Sequence, residues 1–249
     1  MNHPLIEICV DNLESLMTAN QFPIQRIELC SALSVGGITP NYGLLKRAVE
    51  MSTLPLAVMI RPRAGDFLYS EYEVQVMFND IEMARNLGIN HIVIGALTAD
   101  AEIDMDTTRA LMTVAQGMDV TFHRAFDLCR DPYIALEQLI ELGCDYVLTS
   151  GQAPNALQGV TILKQLIAQA GNRIQIMAGC GITAENVTEL MRQTGVSALH
   201  FSAKSERQSA MAATSAATMG SNAEQDRRMI VTDPIKVADI LQRIKEVDV

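Results

Sequence analysis

A carboxylate and a thiol recur together in two short apolar segments near the start of the sequence. Glu7 and Cys9 stand two residues apart, and Glu28 and Cys30 repeat that spacing. Because side chains alternate across a β-strand, each acid would share a strand face with its thiol. Acids and thiols on one strand face are unusual groups to bury, and a buried carboxylate is suited to proton transfer. The spacing therefore predicts that Glu7, Cys9, Glu28 and Cys30 belong to one site on two neighbouring strands.

Two later segments carry residue types that bind anions or move protons. The run Arg61-Pro62-Arg63-Ala64-Gly65-Asp66 places two arginines beside a glycine turn, which suits bidentate capture of a carboxylate or phosphate. A solvated basic loop is the alternative for these arginines. In His123-Arg124-Ala125-Phe126-Asp127, a histidine stands close to an acid, and such a pair transfers protons near neutral pH.

Glycines follow two further apolar segments. Ser150 precedes one glycine, and Gly179-Cys180-Gly181 precedes a helix that Thr183 would cap. Free backbone N–H groups at a helix start bind anions, so we predict the anion site there. The predicted catalytic residues are Glu28, His123 and Arg61. The predicted substrate-binding residues are Glu7, Arg63, Asp66, Arg124, Asp127, Ser150, Gly179, Gly181 and Ser202.

Strands and helices alternate in the pattern that would position these residues. Short β-rich runs and amphipathic helical stretches follow one another along the whole sequence, which is typical of parallel βα units. Eight such units fit a single (β/α)8 TIM barrel, whose usual length is close to the 249 residues here. No linker divides them, so we expect one domain over 1–249. The predicted strands are 5–10, 25–30, 55–61, 91–95, 120–123, 146–149, 174–178 and 198–201.

Capping residues mark the predicted helix starts. Ser70 with Glu73, and Asp11 with Glu14, have the spacing of a capping box, and other caps precede a proline at the first helical position. The predicted caps are Asp11, Thr39, Ser70, Asp131, Thr183 and Asp233.

Residues 203–228 lack a periodic apolar face. This stretch is rich in Ala, Ser, Thr, Met and Gln. We therefore predict a long, partly mobile loop after the eighth strand, which is either a functional lid or disordered.

Strand parity indicates which side chains face the barrel axis. One set of alternating positions is apolar and suits packing under helices. The other set would line the interior: Glu7, Cys9, Glu28, Cys30, Met59, Arg61, Thr121, His123, Gln175, Met177, His200 and Ser202. Barrel interiors are normally filled by branched apolar side chains, so this lining needs a reason. Either Arg61 pairs with Glu7 and Glu28 as a salt-bridged plug, or the lining forms a site at the carboxyl ends of the strands.

Composition excludes several classes of function. Nineteen basic and 29 acidic residues give a net charge of −10, which opposes binding to nucleic acid. No apolar run reaches the roughly 18 residues of a membrane span, and no signal sequence precedes the first strand, so we expect a cytoplasmic protein. The five cysteines are odd in number and widely spaced, which predicts reduced thiols.

These segments together resemble the CutC family, which is named for copper homeostasis. The matching residues are Glu28-Leu29-Cys30, Gly36-Gly37-Ile38-Thr39-Pro40, Ile60-Arg61-Pro62-Arg63, Gly65-Asp66-Phe67, Thr121-Phe122-His123-Arg124-Ala125-Phe126-Asp127, Leu148-Thr149-Ser150-Gly151, Gly179 and Gly181. The resemblance implies a cytoplasmic TIM barrel, often a homo-oligomer, that takes part in copper handling and has no established reaction. Ala64 and Cys180 depart from the family pattern in the loops predicted to bind an anion.

Two functions remain open from the sequence. In the first, Cys9 and Cys30 bind Cu(I), with Met59 as a further ligand. In the second, the barrel mouth is an enzyme site for a small anionic or phosphorylated metabolite, where Glu28 or His123 moves a proton. The mixed acid, arginine and histidine lining favours the enzyme, and the family resemblance favours copper.

Overall fold

A computed structural model describes residues 4–212, 217 and 227–247. Eight parallel strands close into a barrel, and each pairs with its neighbours in chain order. The predicted (β/α)8 fold is confirmed, and each predicted strand is present with ends shifted by a residue or two. The strands are β1 Leu5–Val10, β2 Arg26–Leu29, β3 Leu56–Met59, β4 His91–Ile94, β5 Asp119–Phe122, β6 Tyr146–Thr149, β7 Gln175–Gly179 and β8 Ala198–Phe201.

In the described part of the chain, eight α-helices connect the strands or follow the last one. They are α1 Leu13–Ala19, α2 Tyr42–Met51, α3 Glu71–Asn86, α4 Met105–Val114, α5 Pro132–Leu142, α6 Val160–Ala170, α7 Val187–Thr194 and α8 Pro234–Lys245. Ser70 and Glu73 form the predicted capping box, and Asp131 and Asp233 cap α5 and α8. Among the described residues, we find no helix that combines the length and the apolar composition of a membrane span.

Three of the predicted helix caps are wrong, because each of these residues makes other hydrogen bonds instead of capping the helix N-terminus. The Asp11 carboxylate accepts from the Leu33 N–H, and Asn12 caps α1 instead. The Thr39 hydroxyl accepts from the Arg61 N–H, so the cap of α2 moves to Asn41. Thr183 lies in a turn where its N–H donates to Asn186, and α7 begins at Val187.

The loop predicted over 203–228 is partly wrong. Residues Lys204–Gln208 form β9, which pairs antiparallel with β10, Arg228–Thr232. Every residue of β9 is polar and at least partly exposed, so the strand has no alternating apolar signal that sequence reading could detect. Residues 213–216 and 218–226 lie outside the described residues.

Two distinct sets of side chains fill the molecule. The outward-facing strand positions pack under the helices in one large apolar core, which includes Ile8, Ile27, Val58, Phe122 and Leu199. Inside the barrel are two small apolar clusters, Cys30-Ala57-Met59-Val93 and Leu148-Met177-Ala198. Buried polar side chains share this interior with the two clusters, as the parity argument predicted.

Candidate functional site inside the barrel

The Glu7 carboxylate lies at the centre of the polar interior. Its Oε1 accepts a hydrogen bond from His200 Nδ1 at 2.7 Å, and its Oε2 accepts one from Arg26 Nε. The strand register produces both hydrogen bonds, because Glu7 is paired with Arg26 on β2 and with His200 on β8. Burial alone would raise the pKa of Glu7, but the His200 hydrogen bond and the Arg26 charge lower it to about 2.

Three potential metal ligands meet beside this carboxylate. One donor atom each from Cys9, Glu28 and His200 lies within 4.8 Å of the other two, and all three residues are buried. Cys9 is paired with Glu28 across β1 and β2, and His200 Nε2 is 3.8 Å from Glu28 Oε2. The set combines sulfur, nitrogen and oxygen donors, which suits a borderline or soft transition-metal ion.

Glu28 and His200, the two titratable groups beside Cys9, both have raised pKa values, but for different reasons. Burial raises the pKa of Glu28, which favours a neutral carboxylic acid. Burial would lower the pKa of His200, but interactions with Cys9, Glu28 and Glu7 raise it well above the usual value. His200 is therefore an imidazolium in the absence of a metal, and a metal ion bound at Nε2 would have to displace that proton.

Cys30 lies one step beyond this cluster. Because β2 pairs Glu28 with Cys9, the Cys30 thiol is offset along the strand and donates to Glu28 Oε2 at 3.3 Å. Burial and the neighbouring Glu28 hold the pKa of this thiol well above its usual value. The predicted Cys9–Cys30 pair stays a prediction, and His200 is a ligand candidate that the predicted metal site did not include.

Arg26 and His91 also belong to the interior and were missed as site residues. Arg26 Nη1 donates to His91 Nδ1 at 2.9 Å, so His91 Nε2 carries the proton that it donates to the Thr121 hydroxyl at 2.8 Å. Burial and the Arg26 charge lower the pKa of His91 to about 3, which keeps the ring neutral. Arg26 has the same strand parity as Glu28, so the parity argument could have found it.

The alternative in which Arg61 pairs with Glu7 and Glu28 is wrong. Its Nη1 donates to the carbonyls of Val35 and Gly37, both at 3.0 Å, and its Nη2 donates to the Gly65 carbonyl at 2.8 Å. A guanidinium has several donors in one plane, so one arginine can hold two loops together. Gly37 lies directly against the Cys30 thiol, and a Cβ at Gly37 would come within 3.1 Å of Sγ. Arg61 thus holds a loop over the inner thiol.

Arg63 and Asp66 bond mainly to each other and to nearby groups. Arg63 Nη2 donates to Asp66 Oδ1 at 2.8 Å, and Arg63 also bonds Glu73. Both side chains are substantially exposed. Their role in anion capture stays a prediction, and an anion would have to displace these acids.

The predicted proton-transfer pair of His123 and Asp127 is wrong. Asp127 accepts from Arg124 Nε at 2.8 Å and from the Ser150 N–H and hydroxyl. His123 Nδ1 accepts from the Ala125 N–H at 3.1 Å, while its Nε2 is buried without a partner among the described residues. Burial and the Arg61 charge lower the pKa of His123 to about 3, so it is a neutral hydrogen-bond donor.

Gly179, the last residue of β7, and Gly181 do not lie at the start of a helix. Because α7 begins only at Val187, the N–H groups of Gly179 and Gly181 lie outside its first turn. A side chain at Gly179 would collide with Leu148, since a Cβ there would lie 2.6 Å from Leu148 Cδ1. Ser202 directly follows β8 and is partly buried. The anion-binding roles of these residues remain predictions.

Comparison with known proteins finds close matches over most of this chain. A profile described as the CutC family matches residues 4–205. A CutC protein from Glaesserella parasuis is 59% identical over 239 residues, which cover 96% of this chain and 98% of that protein. A solved structure from Streptococcus agalactiae, titled as a copper homeostasis protein CutC, has a TM-score of 0.76 and 37% identity, and the match covers 80% of this chain and 98% of that one.

More distant barrels share the fold alone. N-(5'-phosphoribosyl)anthranilate isomerase from Pyrococcus furiosus has a TM-score of 0.58 at 16% identity, over 98% of this chain and all of that one. At that identity the likeness carries no inference about substrate.

Replacing Arg61 should expose the inner thiol. Arg61→Ala removes the three hydrogen bonds that hold the loop over Cys30, so we expect alkylation of Cys30 to become at least about tenfold faster through local opening. Peptide mass spectrometry after timed iodoacetamide treatment measures the rate. Arg63→Ala is the matched control, and buried Cys144 reports global unfolding. Equal Cys30 rates in the two variants would contradict the role given to Arg61.

The buried Glu7 should make stability depend on acidic pH. Its pKa falls from 4.5 to about 2 on folding, so its contribution is complete above pH 4.5 and is lost as the pH falls towards 2. That shift corresponds to roughly 3 kcal/mol, so Glu7→Gln should be less stable than the parent at neutral pH by this amount. The difference should shrink between pH 4.5 and pH 2, as measured by urea unfolding.

Glu137 provides the control for this measurement. Its pKa is also lowered to about 2, chiefly by Arg173, but the pair is exposed and screened by solvent. Glu137→Gln should therefore change stability much less than Glu7→Gln. A pH profile of Glu7→Gln parallel to that of the parent would show that Glu7 does not carry the charge.

Proposed function

The chain belongs to the CutC family, and on that premise we propose that it serves copper homeostasis by binding a copper ion inside the barrel at Cys9 and His200. The observation that carries the proposal is the buried cluster of Cys9, Glu28 and His200. The S. agalactiae relative, 37% identical, is named for copper homeostasis. All five cysteines are free, which fits the reducing cytoplasm that we include in the proposal.

Two of the three donor groups in this cluster suit copper, and the third suits it poorly. Thiolate sulfur and imidazole nitrogen suit Cu(I), whereas a carboxylate is a hard ligand. Glu28 is the acid with the raised pKa, so as a neutral group it competes weakly for a soft ion. Cys30 and Met59 pack together in the adjacent interior cluster and supply further sulfur. We therefore assign the primary ligands to Cys9 and His200, with Cys30 as the next sulfur along the strand.

Glu7 would hold the His200 ring in the orientation that metal binding requires. It bonds His200 through Nδ1, which leaves Nε2 on the side of Cys9 and Glu28. A carboxylate behind a metal-binding histidine fixes the ring orientation and raises the basicity of the ligand. Copper binding would release the Nε2 proton of His200.

Anaerobic Cu(I) titration against a competing chelator tests the copper proposal. We expect one tightly bound ion, and we expect Cys9→Ser and His200→Gln each to weaken binding by more than about 100-fold, because loss of a supporting residue alone costs up to about that factor. Cys180→Ser, which changes a partly exposed thiol outside the cluster, should have no effect. Parental affinity in the Cys9→Ser, His200→Gln double variant would exclude this site.

An enzyme at the barrel mouth is the second candidate. Six buried side-chain atoms have no hydrogen-bond partner among the described residues, and three of them belong to the predicted catalytic residues: Glu28 Oε1, Arg61 Nε and His123 Nε2. The pKa of Glu7 is lowered while that of Glu28 is raised, and acids whose pKa values are driven apart commonly divide the roles in proton transfer. We propose Glu28 as the acid and the His123 and Arg61 N–H groups as binders of a small anionic substrate.

A thermal-shift screen of small phosphates and carboxylates tests the enzyme proposal in metal-free protein. We expect at least one compound to raise Tm, because it would satisfy buried N–H groups that now lack acceptors. His123→Gln should reduce the shift, whereas Arg109→Gln on the exposed face of α4 should leave it unchanged. Absence of any shift, or an undiminished shift in His123→Gln, would count against this enzyme site.

A further inference from the structure

A cleft of about 390 Å³ opens where the strands begin, at the end of the barrel opposite the loops that follow them. Arg26 and His91 line its inner part and are almost fully buried. Leu54 and Ile89 line an apolar side, and Asp119 lies at the edge with its side chain 66% exposed. In TIM barrels this end usually serves stability, so a cleft with a buried guanidinium is a departure from the fold's usual pattern.

One N–H edge of Arg26 has no acceptor. Its Nε donates to Glu7 and its Nη1 donates to His91, but Nη2 is buried and unpartnered among the described residues. The guanidinium also stacks on the Tyr146 ring, 4.6 Å from the ring centroid, so its plane is fixed. A buried charged donor without an acceptor is unfavourable, and a carboxylate is the acceptor that best matches a guanidinium.

The outer edge of the cleft carries the negative charge of Asp119, opposite in sign to the charge of Arg26 at the inner end. Asp119 Oδ2 is 3.7 Å from His91 Nδ1, but that nitrogen already accepts from Arg26 on a neutral ring. Among the described residues, Asp119 therefore has no cationic partner. Burial raises the pKa of Asp145, the neighbouring acid at this end of the barrel, and the charge of Asp119 adds to that rise. A ligand for this cleft must accept hydrogen bonds at the inner end and carry positive charge at the outer end.

We propose that this cleft binds an α-amino acid with an aliphatic side chain. The carboxylate accepts from Arg26 Nη2, the ammonium group contacts Asp119, and the side chain packs against Leu54 and Ile89. His91 touches both Arg26 and Asp119, so the two charges lie close enough for the two ends of one amino acid to bond both. The Tyr146 ring, which also lines the cleft beside Arg26, is only partly buried.

The proposed site is separate from the copper cluster. Glu7 stands between them, because one of its oxygens faces Arg26 and the other faces His200. Amino-acid binding therefore requires no metal and uses none of the proposed copper ligands.

Isothermal titration calorimetry of the metal-free protein with three matched probes tests the proposal. L-Leucine carries both charged groups, 4-methylpentanoate lacks the amine, and 3-methylbutylamine lacks the carboxylate. We expect leucine to bind at least about tenfold more tightly than either fragment, because a site built to pair both groups discriminates against the loss of one. No leucine binding up to about 10 mM, or equal affinity for leucine and one fragment, would overturn the proposal.

Two test variants, Asp119→Asn and Leu54→Trp, and one control variant separate an effect on leucine binding from an effect on folding. Asp119→Asn alters an exposed side chain and should weaken leucine binding at least about tenfold, while Asp106→Asn on α4 should leave it unchanged. Leu54→Trp should fill the cleft and abolish binding. Leucine affinity unaffected by Asp119→Asn or by Leu54→Trp would show that leucine binds elsewhere and would overturn the assignment.

Discussion

The interior of this barrel depends on how one buried carboxylate is neutralised. Glu7 has no contact with solvent, and a charge in that position persists only when it is paired and hydrogen-bonded. Arg26 and His200 supply the two bonds from the strands on either side of β1. Each partner then needs its own surroundings, so Arg26 brings His91 and Thr121 into the interior, and His200 brings Glu28 and Cys9. These side chains form one polar network around a single charge, whereas Arg61 and His123 bond to groups outside it.

The same arrangement gives two similar acids different chemical states. Glu7 remains ionised because it accepts from two cationic groups, whereas Glu28 accepts mainly from a thiol and lies at the greater distance of 3.8 Å from His200. The negative charge of Glu7 helps to keep His200 protonated, and Glu28 tends to the neutral acid. The proposed copper site and the proposed enzyme site share Glu28, which lies beside Cys9 and His200. A metal ion bound there would compete with the role of Glu28 as an acid.

Sequence reasoning predicted the fold and the interior face but not the pairing of the interior charges. Alternation along each strand places Glu7, Cys9, Glu28 and Cys30 inside, and a period of two depends only on local geometry. Partner choice depends on register between strands, which paired Glu7 with Arg26 and not with Arg61. Arg61 instead satisfies loop carbonyls whose positions no local pattern encodes. The all-polar strand β9 was also missed, since pairing alone defines it.

The bond between Glu7 and His200 joins residues 193 positions apart, across the seam where the first and last barrel strands pair. Contacts of such long sequence separation form late in folding, because the chain between them must first be ordered. The intact cluster of Cys9, Glu28 and His200 therefore cannot exist during synthesis of the first seven strands. Until β8 pairs with β1, Glu7 lacks its hydrogen bond from His200, and the Cys9 and Cys30 thiols lack the closed barrel around them. The side chains of Cys9, Glu28 and His200 are therefore brought together only when the last barrel strand pairs with the first.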